Sequence, residues 1–430
     1  MTIFADGDDK SVMFQQRYNM LHQNLLLDSR FSDSSRGCRG ADFPMISSDP
    51  NATKAKANES SLLQIHSKSD TNWRVQLTPP ESLSGSIGTK VVFGMLCKGS
   101  DGKFYIEDNH QSAQLRLDNC VCSDDLITDN TFVLLKGEVI DDIFHVSEMT
   151  VPPIPQQSLC EPTLNVGKHY DADEIDIDGS ISDPPDDATI AVLSNVMLDS
   201  PETIDKLSLL FTGFEECDAV PRVFVLMGSF TACPFNSQTG DSYRSYQKVF
   251  EKFTQLLARH PITLERSNIV IVPGPNEPGY GILPQPPVSD ILLRGLSARF
   301  PNVILSGNPC RMRFYNKKII MYSGCIGNQR LAGMTHNEEG EAGEKVMRAV
   351  LTQMTLVPGP ARNKAVIWNH DTAMRVYPPP NALFLSDKDV SPFQAEPNSE
   401  TIFACMPSFA KDGEFHLYSP CQQETTLSSV

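Results

Sequence analysis

A chain of 430 residues is long enough for two to four domains at roughly 100–200 residues each, and 22 Phe and 10 Tyr within a 40% hydrophobic composition exclude disorder throughout. Its 36 Lys and Arg stand against 53 Asp and Glu, and the net charge of −17 argues against a protein built mainly to grip phosphate backbones. No apolar run approaches the roughly 20 residues of a membrane helix, Asp6, Asp8 and Asp9 occupy the N-terminus with no apolar stretch behind them, and eleven scattered Cys suit reduced thiols; an intracellular protein without a membrane partner is expected.

Phe14 to Leu27 reads as a short amphipathic helix. Sequence rich in Ser, Asp, Asn and Gly follows from Ser32 to about Asn72, so residues 1–74 are expected to form a short helix and a largely flexible N-terminal region. Two glycosylation sequons, Asn51-Ala52-Thr53 and Asn58-Glu59-Ser60, carry meaning only in a secreted protein and are read as chance.

Residues 75–155 have the short period of strands. Five candidates are Val91 to Leu96, Lys103 to Glu107, Ala113 to Leu117, Phe132 to Val139 and Ile143 to Val146, joined through turn formers such as Asp101-Gly102 and Asp141-Asp142. Five strands in this length fit a small barrel of the oligonucleotide/oligosaccharide-binding (OB) type, although the pattern alone equally allows another small all-β domain. Phe104, Tyr105 and Phe144, with Lys98, Lys103, Arg116 and Lys136 nearby, offer a single-strand binding platform as one reading; the same aromatics are expected in a barrel core. Cys120-Val121-Cys122 is one residue short of a zinc knuckle and has no second pair at finger spacing, so no structural zinc is expected. Gly85-Ser86-Ile87-Gly88-Thr89-Lys90 lacks the spacing of a phosphate loop, and no strand precedes it.

Residues 156–187 follow the Pro-rich Val151-Pro152-Pro153-Ile154-Pro155. They include Asp171, Asp173, Glu174, Asp176, Asp178, Asp183, Asp186 and Asp187, which carry −8 of the net −17 and leave −9 elsewhere. This reads as an acidic, Pro-containing linker or loop.

From residue 188 to 430 strands and helices alternate, which predicts an α/β domain. Strand candidates are Ile190 to Leu193, Val223 to Met227, Ile269 to Val272, Val303 to Leu305, Ile319 to Tyr322, Ala365 to Trp368 and Ala382 to Leu385. Tyr246, Val249, Phe250, Phe253, Leu256 and Leu257 recur at spacings of three and four and predict a helix over Tyr243 to Arg259, closed by Pro261.

Several of these strands end in small or turn-forming residues, where α/β domains place ligands. The order of strand and polar turn resembles the calcineurin-like metallophosphoesterases, whose two metals need carboxylates and imidazoles from D-x-H, G-D-x-x-D, G-N-H-[DE] and G-H-x-H. The matching positions here are Asn195 and Met197, then Ser229 and Ala232, then Gly274-Pro275-Asn276-Glu277, and no G-H-x-H occurs. Neither a metal site nor a catalytic residue is therefore expected, and no cofactor. Asp108-Asn109-His110 fits D-x-H but lies in the barrel and reads as a turn. Trp368-Asn369-His370-Asp371 comes two strands late for G-N-H-D and reads as a polar turn at a strand end. No G-x-S-x-G nucleophile elbow is present.

An OB-like barrel followed by a metallophosphoesterase fold, a mixed β-sandwich flanked by helices but without its metal ligands, is the arrangement of the B subunits of eukaryotic replicative DNA polymerases. The chain resembles that family in Phe224 to Thr231, Val272 to Pro284 and Ser306 to Arg311. It is similar to the epsilon branch rather than the alpha or delta branches in Met374 to Pro378, Leu385 to Lys388 and Met406 to Phe409. Gln16 to Gln23, Val92 to Leu96 and Gly102 to Asp108 extend the likeness into the N-terminal half. The resemblance implies a non-catalytic, nuclear scaffold that holds the C-terminal zinc-bearing domain of the epsilon catalytic subunit, links it to the GINS/MCM replicative helicase, and meets DNA mainly indirectly. Family members begin with a small helical domain that contacts GINS; here about 70 largely polar residues precede the barrel. The alternatives are a metal-dependent phosphoesterase or nuclease of the same fold, or a B subunit of another replicative polymerase, alpha or delta.

Overall fold

The computed structural model describes residues 7–33, 62, 75–157, 174–177, 182–279, 281–324, 326, 341–357, 365–387, 390–395 and 400–430. Both sequons, nearly all of the Ser32–Asn72 stretch, Asp171, Asp173 and Asp178 of the acidic tract, Tyr280 and Lys388 lie outside the described residues. The described residues fall into two compact units: those up to 157 together with 345–357, and those from 174 to 326 together with 341–344 and 365–430. No described helix is long and apolar enough to cross a membrane.

The first unit contains helix α1 (Gly7–Leu27) and strands β1 (Phe31–Asp33), β2 (Val75–Leu77), β3 (Lys90–Lys98), β4 (Phe104–Glu107), β5 (Ser112–Arg116), β6 (Val121–Cys122), β7 (Phe132–Ile140) and β8 (Ile143–Thr150). Pairing runs β3-β4-β5-β8-β7 and returns to β3, so five strands close into the expected OB-type barrel, with β5 and β8 parallel and the other neighbours antiparallel. Alternate residues Val92, Leu96, Ile106, Leu115, Val133, Leu135, Phe144 and Val146 fill its core. At Gly137 the β7–β8 register slips, and a Cβ there would stand 2.1 Å from the carbonyl oxygen of His145, so the bulge requires glycine. Helix α1 buries Met13, Arg17, Leu21 and Leu25, one per turn, and Tyr18 stacks on Phe93 of β3 at 5.4 Å. It therefore belongs to the barrel's own unit, whereas the sequence suggests a segment set apart from the barrel.

The second unit contains β9 (Ile175–Asp176), β10 (Ile190–Leu193), α2 (Pro201–Glu216), β11 (Val223–Met227), α3 (Gly240–Leu257), α4 (Pro261–Arg266), β12 (Asn268–Val272), β13 (Ile282–Leu283), α5 (Leu296–Arg299), β14 (Val303–Leu305), β15 (Cys310–Phe314) and β16 (Lys317–Ser323). After helix α6 (Glu341–Gln353), which runs from this unit into the first, come β17 (Ala365–Val366), β18 (Ala382–Ser386), β19 (Phe393–Gln394), β20 (Ile402–Cys405), α7 (Phe409–Asp412), β21 (Glu414–Ser419) and β22 (Glu424–Ser429). Two six-stranded sheets result, ordered β14-β12-β11-β10-β21-β22 and β19-β20-β18-β16-β15-β9. In the first, β14 to β10 are parallel and β21 and β22 antiparallel; in the second, β20, β18 and β16 are parallel, β9 pairs parallel with β15, and the β19–β20 and β15–β16 pairs are antiparallel.

The apolar runs of β10, β11 and β12 are buried on both faces. Val192, Val225, Met227 and Val270 face the second sheet's Met312, Phe314, Ile319, Met321 and Phe384, while Leu193, Phe224, Leu226 and Ile271 face Leu207 and Phe211 of α2 and Phe250 and Phe253 of α3. The unit is thus the mixed β-sandwich flanked by helices that the sequence suggested. Two local expectations change. Ala365 to Trp368 is a strand only over its first two residues, and Trp368–Met374 forms a 3-10 turn. Ile175 and Asp176 of the acidic stretch are not part of a free linker: they form β9, which pairs parallel with Met312 and Arg313 and carries an Asp176–Arg313 ion pair.

Candidate functional site

The ends of β10, β11, β12 and β14 place their following loops along one edge of the first sheet. Asn195, after β10, adopts a left-handed φ of 52°, which a short polar side chain tolerates, and its Oδ1 accepts the Ser229 N–H at 3.4 Å. Ser229, after β11, is 5% exposed; Met197 is half-buried and Ala232 exposed. Asn276, after β12, donates from Nδ2 to the carbonyls of Thr231 (2.7 Å) and Ala232 (3.2 Å), and Asp199 accepts the Ala232 N–H at 2.9 Å. The structure therefore joins the Asn195, Ser229, Ala232 and Asn276 loops, but it joins them through amide-to-backbone bonds.

Glu277 organises this edge, a role its place in the strand-end motif did not reveal. It is 3% exposed, and its carboxylate accepts the N–H of Phe230 (2.6 Å) and that of Gly274, stitching the loop after β11 to the loop after β12. Burial pushes its pKa up to about 7, against the lowering effect of those two N–H groups. The unpartnered Tyr246 hydroxyl of α3 lies within the carboxylate's field, and burial together with that charge holds Tyr246 well above its ordinary pKa. Gly228 and Gly274 permit this contact: a Cβ on Gly228 would meet Glu277 Oε2 at 2.3 Å, and one on Gly274 would meet the Gly228 carbonyl carbon at 2.5 Å.

Polar side chains at the neighbouring strand ends are engaged in the same way. Asn308 exchanges hydrogen bonds with the backbone of Ser323 (2.6 and 3.1 Å), Ser323 Oγ donates to the Gly228 carbonyl (3.0 Å), Ser194 and Ser386 hydroxyls lie 2.5 Å apart, and buried Asp387 accepts the Ile326 N–H (2.5 Å). Gln285, 1% exposed, donates to the carbonyls of Gly274 (3.2 Å) and Pro278 (3.3 Å). Cys310 and Cys405 are buried thiols whose pKa burial pushes up to about 12, which leaves them protonated and poor nucleophiles. Among the described residues no group of three or more His, Cys, Asp or Glu is placed to hold a metal ion.

The other candidates take structural roles. Asp108 accepts the N–H groups of His110 (2.7 Å) and Gln111 (2.8 Å) in the turn between β4 and β5. Asp371, 2% exposed, pairs with Arg375 at 3.3 Å, and His370 beside it is half-buried in the 3-10 turn. Gly85 and Gly88 take positive φ in a turn ahead of β3. In the barrel, Phe144 is 1% exposed and belongs to the core, the ammonium of Lys98 covers the Phe104 ring at 5.8 Å, and Tyr105 donates to Asp101 (2.9 Å). Lys103 stands 3.9 Å from Asp101, Arg116 3.3 Å from Asp118, and Lys136 3.2 Å from Glu148. The aromatics and cations named for a nucleic-acid platform thus do not converge as a free basic groove.

Residues 7–153 match the family described as DNA polymerase epsilon subunit 2-like, OB-fold domain, and residues 190–395 the family of the DNA polymerase alpha/epsilon B subunit. The chain is 28% identical over 447 residues to the DNA polymerase epsilon B subunit of Arabidopsis thaliana, spanning 100% of this chain and 78% of that one. It is likewise 28% identical over 441 residues to the DNA polymerase epsilon subunit 2 of Homo sapiens (100% and 77%) and over 431 residues to that of Bos taurus (97% and 75%).

Proposed function

The chain belongs to the B-subunit family of DNA polymerase epsilon, and we propose that it acts in DNA replication as a non-catalytic accessory subunit that holds the C-terminal zinc-bearing domain of the catalytic subunit. The observation that carries the non-catalytic reading is the chemistry of the strand-end positions. A two-metal phosphoesterase needs carboxylates and imidazoles there, free to converge on the ions and sharpen a bridging water. Asn195, Met197, Ser229, Ala232 and Asn276 offer an amide, a thioether, a hydroxyl, a methyl and a second amide, and Asn276 is turned onto two carbonyls. Glu277, the acid that follows Asn276, has both oxygens engaged by backbone N–H groups. This donor set does not fit a pair of divalent ions.

A sandwich relieved of that chemistry keeps rigid loops that suit protein contacts. Pro286 and Pro287 are exposed, while Gln285 beside them is anchored by its side chain and bridged through its backbone to Asn308. A partner meeting such a loop has little ordering entropy to overcome. The GINS/MCM helicase is the further partner the family implies, with DNA reached through these proteins in the nucleus; the acid neighbours of Lys103, Arg116 and Lys136 support indirect rather than direct contact with DNA.

The test is biochemical. The purified chain supplied with Mn²⁺ is expected to hydrolyse neither a phosphodiester nor a phosphomonoester, and to co-purify with the large polymerase subunit. Stoichiometric Mn²⁺ together with turnover abolished by Asn276→Ala would overturn the proposal.

A further inference from the structure

The Cys120-Val121-Cys122 segment, unused by the scaffold function, lies beside the barrel where β6 pairs with β8 through Val121–Glu148 and Cys122–Met149. Cys120 closes a turn through its N–H to the Leu117 carbonyl and Cys122 lies in β6, and the two sulfurs lie 3.9 Å from each other in hydrogen-bond contact. Val121 between them is 56% exposed and both cysteines are half-buried, so a small solute can reach them. We propose that Cys120 and Cys122 form an oxidisable dithiol, a modification site at which hydrogen peroxide converts the pair into an intramolecular disulfide.

The Glu148 carboxylate distinguishes the two sulfurs, since it disfavours negative charge on Cys120. Either thiol can donate in this contact; with Cys120 as donor, the bond lowers the Cys122 pKa to about 7 against the effect of burial, while that bond, burial and the Glu148 carboxylate raise Cys120. A negative charge is thus favoured on Cys122 and disfavoured on Cys120. The other described cysteines with a displaced pKa, Cys97, Cys310, Cys405 and Cys421, are all shifted upward. The thiolate, not the thiol, is the nucleophile.

The Cys122 thiolate attacks one peroxide oxygen: an S–O bond forms, the O–O bond breaks, sulfur is oxidised to the sulfenic acid, and the departing hydroxide takes up the proton the Cys122 thiol released, giving water. Cys120 then loses its proton and attacks that sulfur. The S–S bond forms, the S–O bond breaks, and hydroxide leaves with the Cys120 proton as a second water. One peroxide is reduced to two waters and two thiols are oxidised to one disulfide. Closure asks the sulfurs to approach by roughly 2 Å, from their present contact to bonding distance.

The experiment treats the full chain with graded hydrogen peroxide, blocks remaining thiols with N-ethylmaleimide, and maps the tryptic peptide Leu117–Lys136 by mass spectrometry. The expected result is loss of two hydrogens and of both maleimide additions from that peptide, at peroxide doses that leave exposed Cys217 and Cys233 alkylated. In Cys120→Ser the reaction is expected to stop at a Cys122 sulfenic acid that dimedone traps. In the untreated protein, alkylation of Cys122 is expected to rise with a midpoint near neutral pH. At that pH its thiolate fraction exceeds that of an ordinary cysteine about 15-fold, an advantage that lower intrinsic nucleophilicity reduces to about threefold in rate. Oxidation of Cys217 and Cys233 before this pair, a disulfide from Cys122 to any other cysteine, or an alkylation profile shared with Cys217 would each overturn the assignment.

Discussion

Replacing Glu277 by Gln removes a titration and keeps the shape, so its effect on stability must change with pH. In the unfolded chain this carboxyl ionises at about 4.3, and in the folded protein burial raises it to about 7. Between those values the native state binds a proton that the unfolded state has released, so stability is greatest at low pH and falls as pH rises through that window. The displacement corresponds to about 3–4 kcal/mol between its two ends. Gln is neutral throughout, but its amide N–H group would face one of the two donors, Phe230 or Gly274, and leave that N–H without an acceptor, at about 1–3 kcal/mol. At about pH 5 Glu277→Gln is therefore expected to be the less stable protein, and by about pH 8 the ionisation cost carried by the wild type offsets or reverses the difference. Urea unfolding followed by far-ultraviolet circular dichroism at several pH values measures the gap, and hydrogen exchange at the Phe230 and Gly274 amides reports it locally. A gap between the two proteins that stays constant across that range would refute the reasoning.

Gly274→Ala is expected to destabilise the second unit by about 1–3 kcal/mol or more, read as a lower urea midpoint, because its Cβ would stand 2.5 Å from the Gly228 backbone. Asp371→Ala leaves Arg375, whose side chain is 14% exposed, without this carboxylate and should cost about 3–5 kcal/mol by the same measurement. Phe93→Ala removes the ring on which Tyr18 and His22 stack and should cost about 3–5 kcal/mol, with amide exchange quickening along α1 before the barrel strands. In fluorescence anisotropy at low and moderate salt, a labelled single-stranded oligonucleotide is expected to show no submicromolar binding to the isolated chain; tight binding with a steep salt slope would mean that the paired cations of the barrel are available after all.

The sequence was most legible where burial imposes a simple period. All five barrel strands were anticipated, and β10, β11 and β14 begin and end where their apolar runs do. Helix α3 was readable from one apolar face, and it starts three residues earlier than expected, after Thr239. β15 is not legible in the sequence, although Cys310, Met312 and Phe314 alternate with Arg311 and Arg313, because short strands are weak signals until a partner supplies their hydrogen bonds. β22 has only one buried residue, Thr425, and its place depends on pairing with β21 rather than on its own pattern. At the strand ends, residue types alone identified Asn195, Ser229 and Asn276 as neutral. That Glu277 holds two loops together through backbone N–H groups is not legible in the sequence, because every residue but proline offers such a donor and these two lie 47 and three positions away.

For a non-catalytic subunit as proposed, the contacts of Ser229, Asn276 and Glu277 also oppose any single-step gain of two-metal chemistry. A His at position 276 would forfeit both amide bonds to the 231–232 loop, and an Asp at position 229 would bring a carboxylate to a 5% exposed site beside Glu277. Each reversal is unfavourable by about 1–3 kcal/mol before any ion can repay it, and no single reversal recreates a two-ion site. On that reading a lineage changing by single substitutions meets a barrier at each of these positions before any ion could bind.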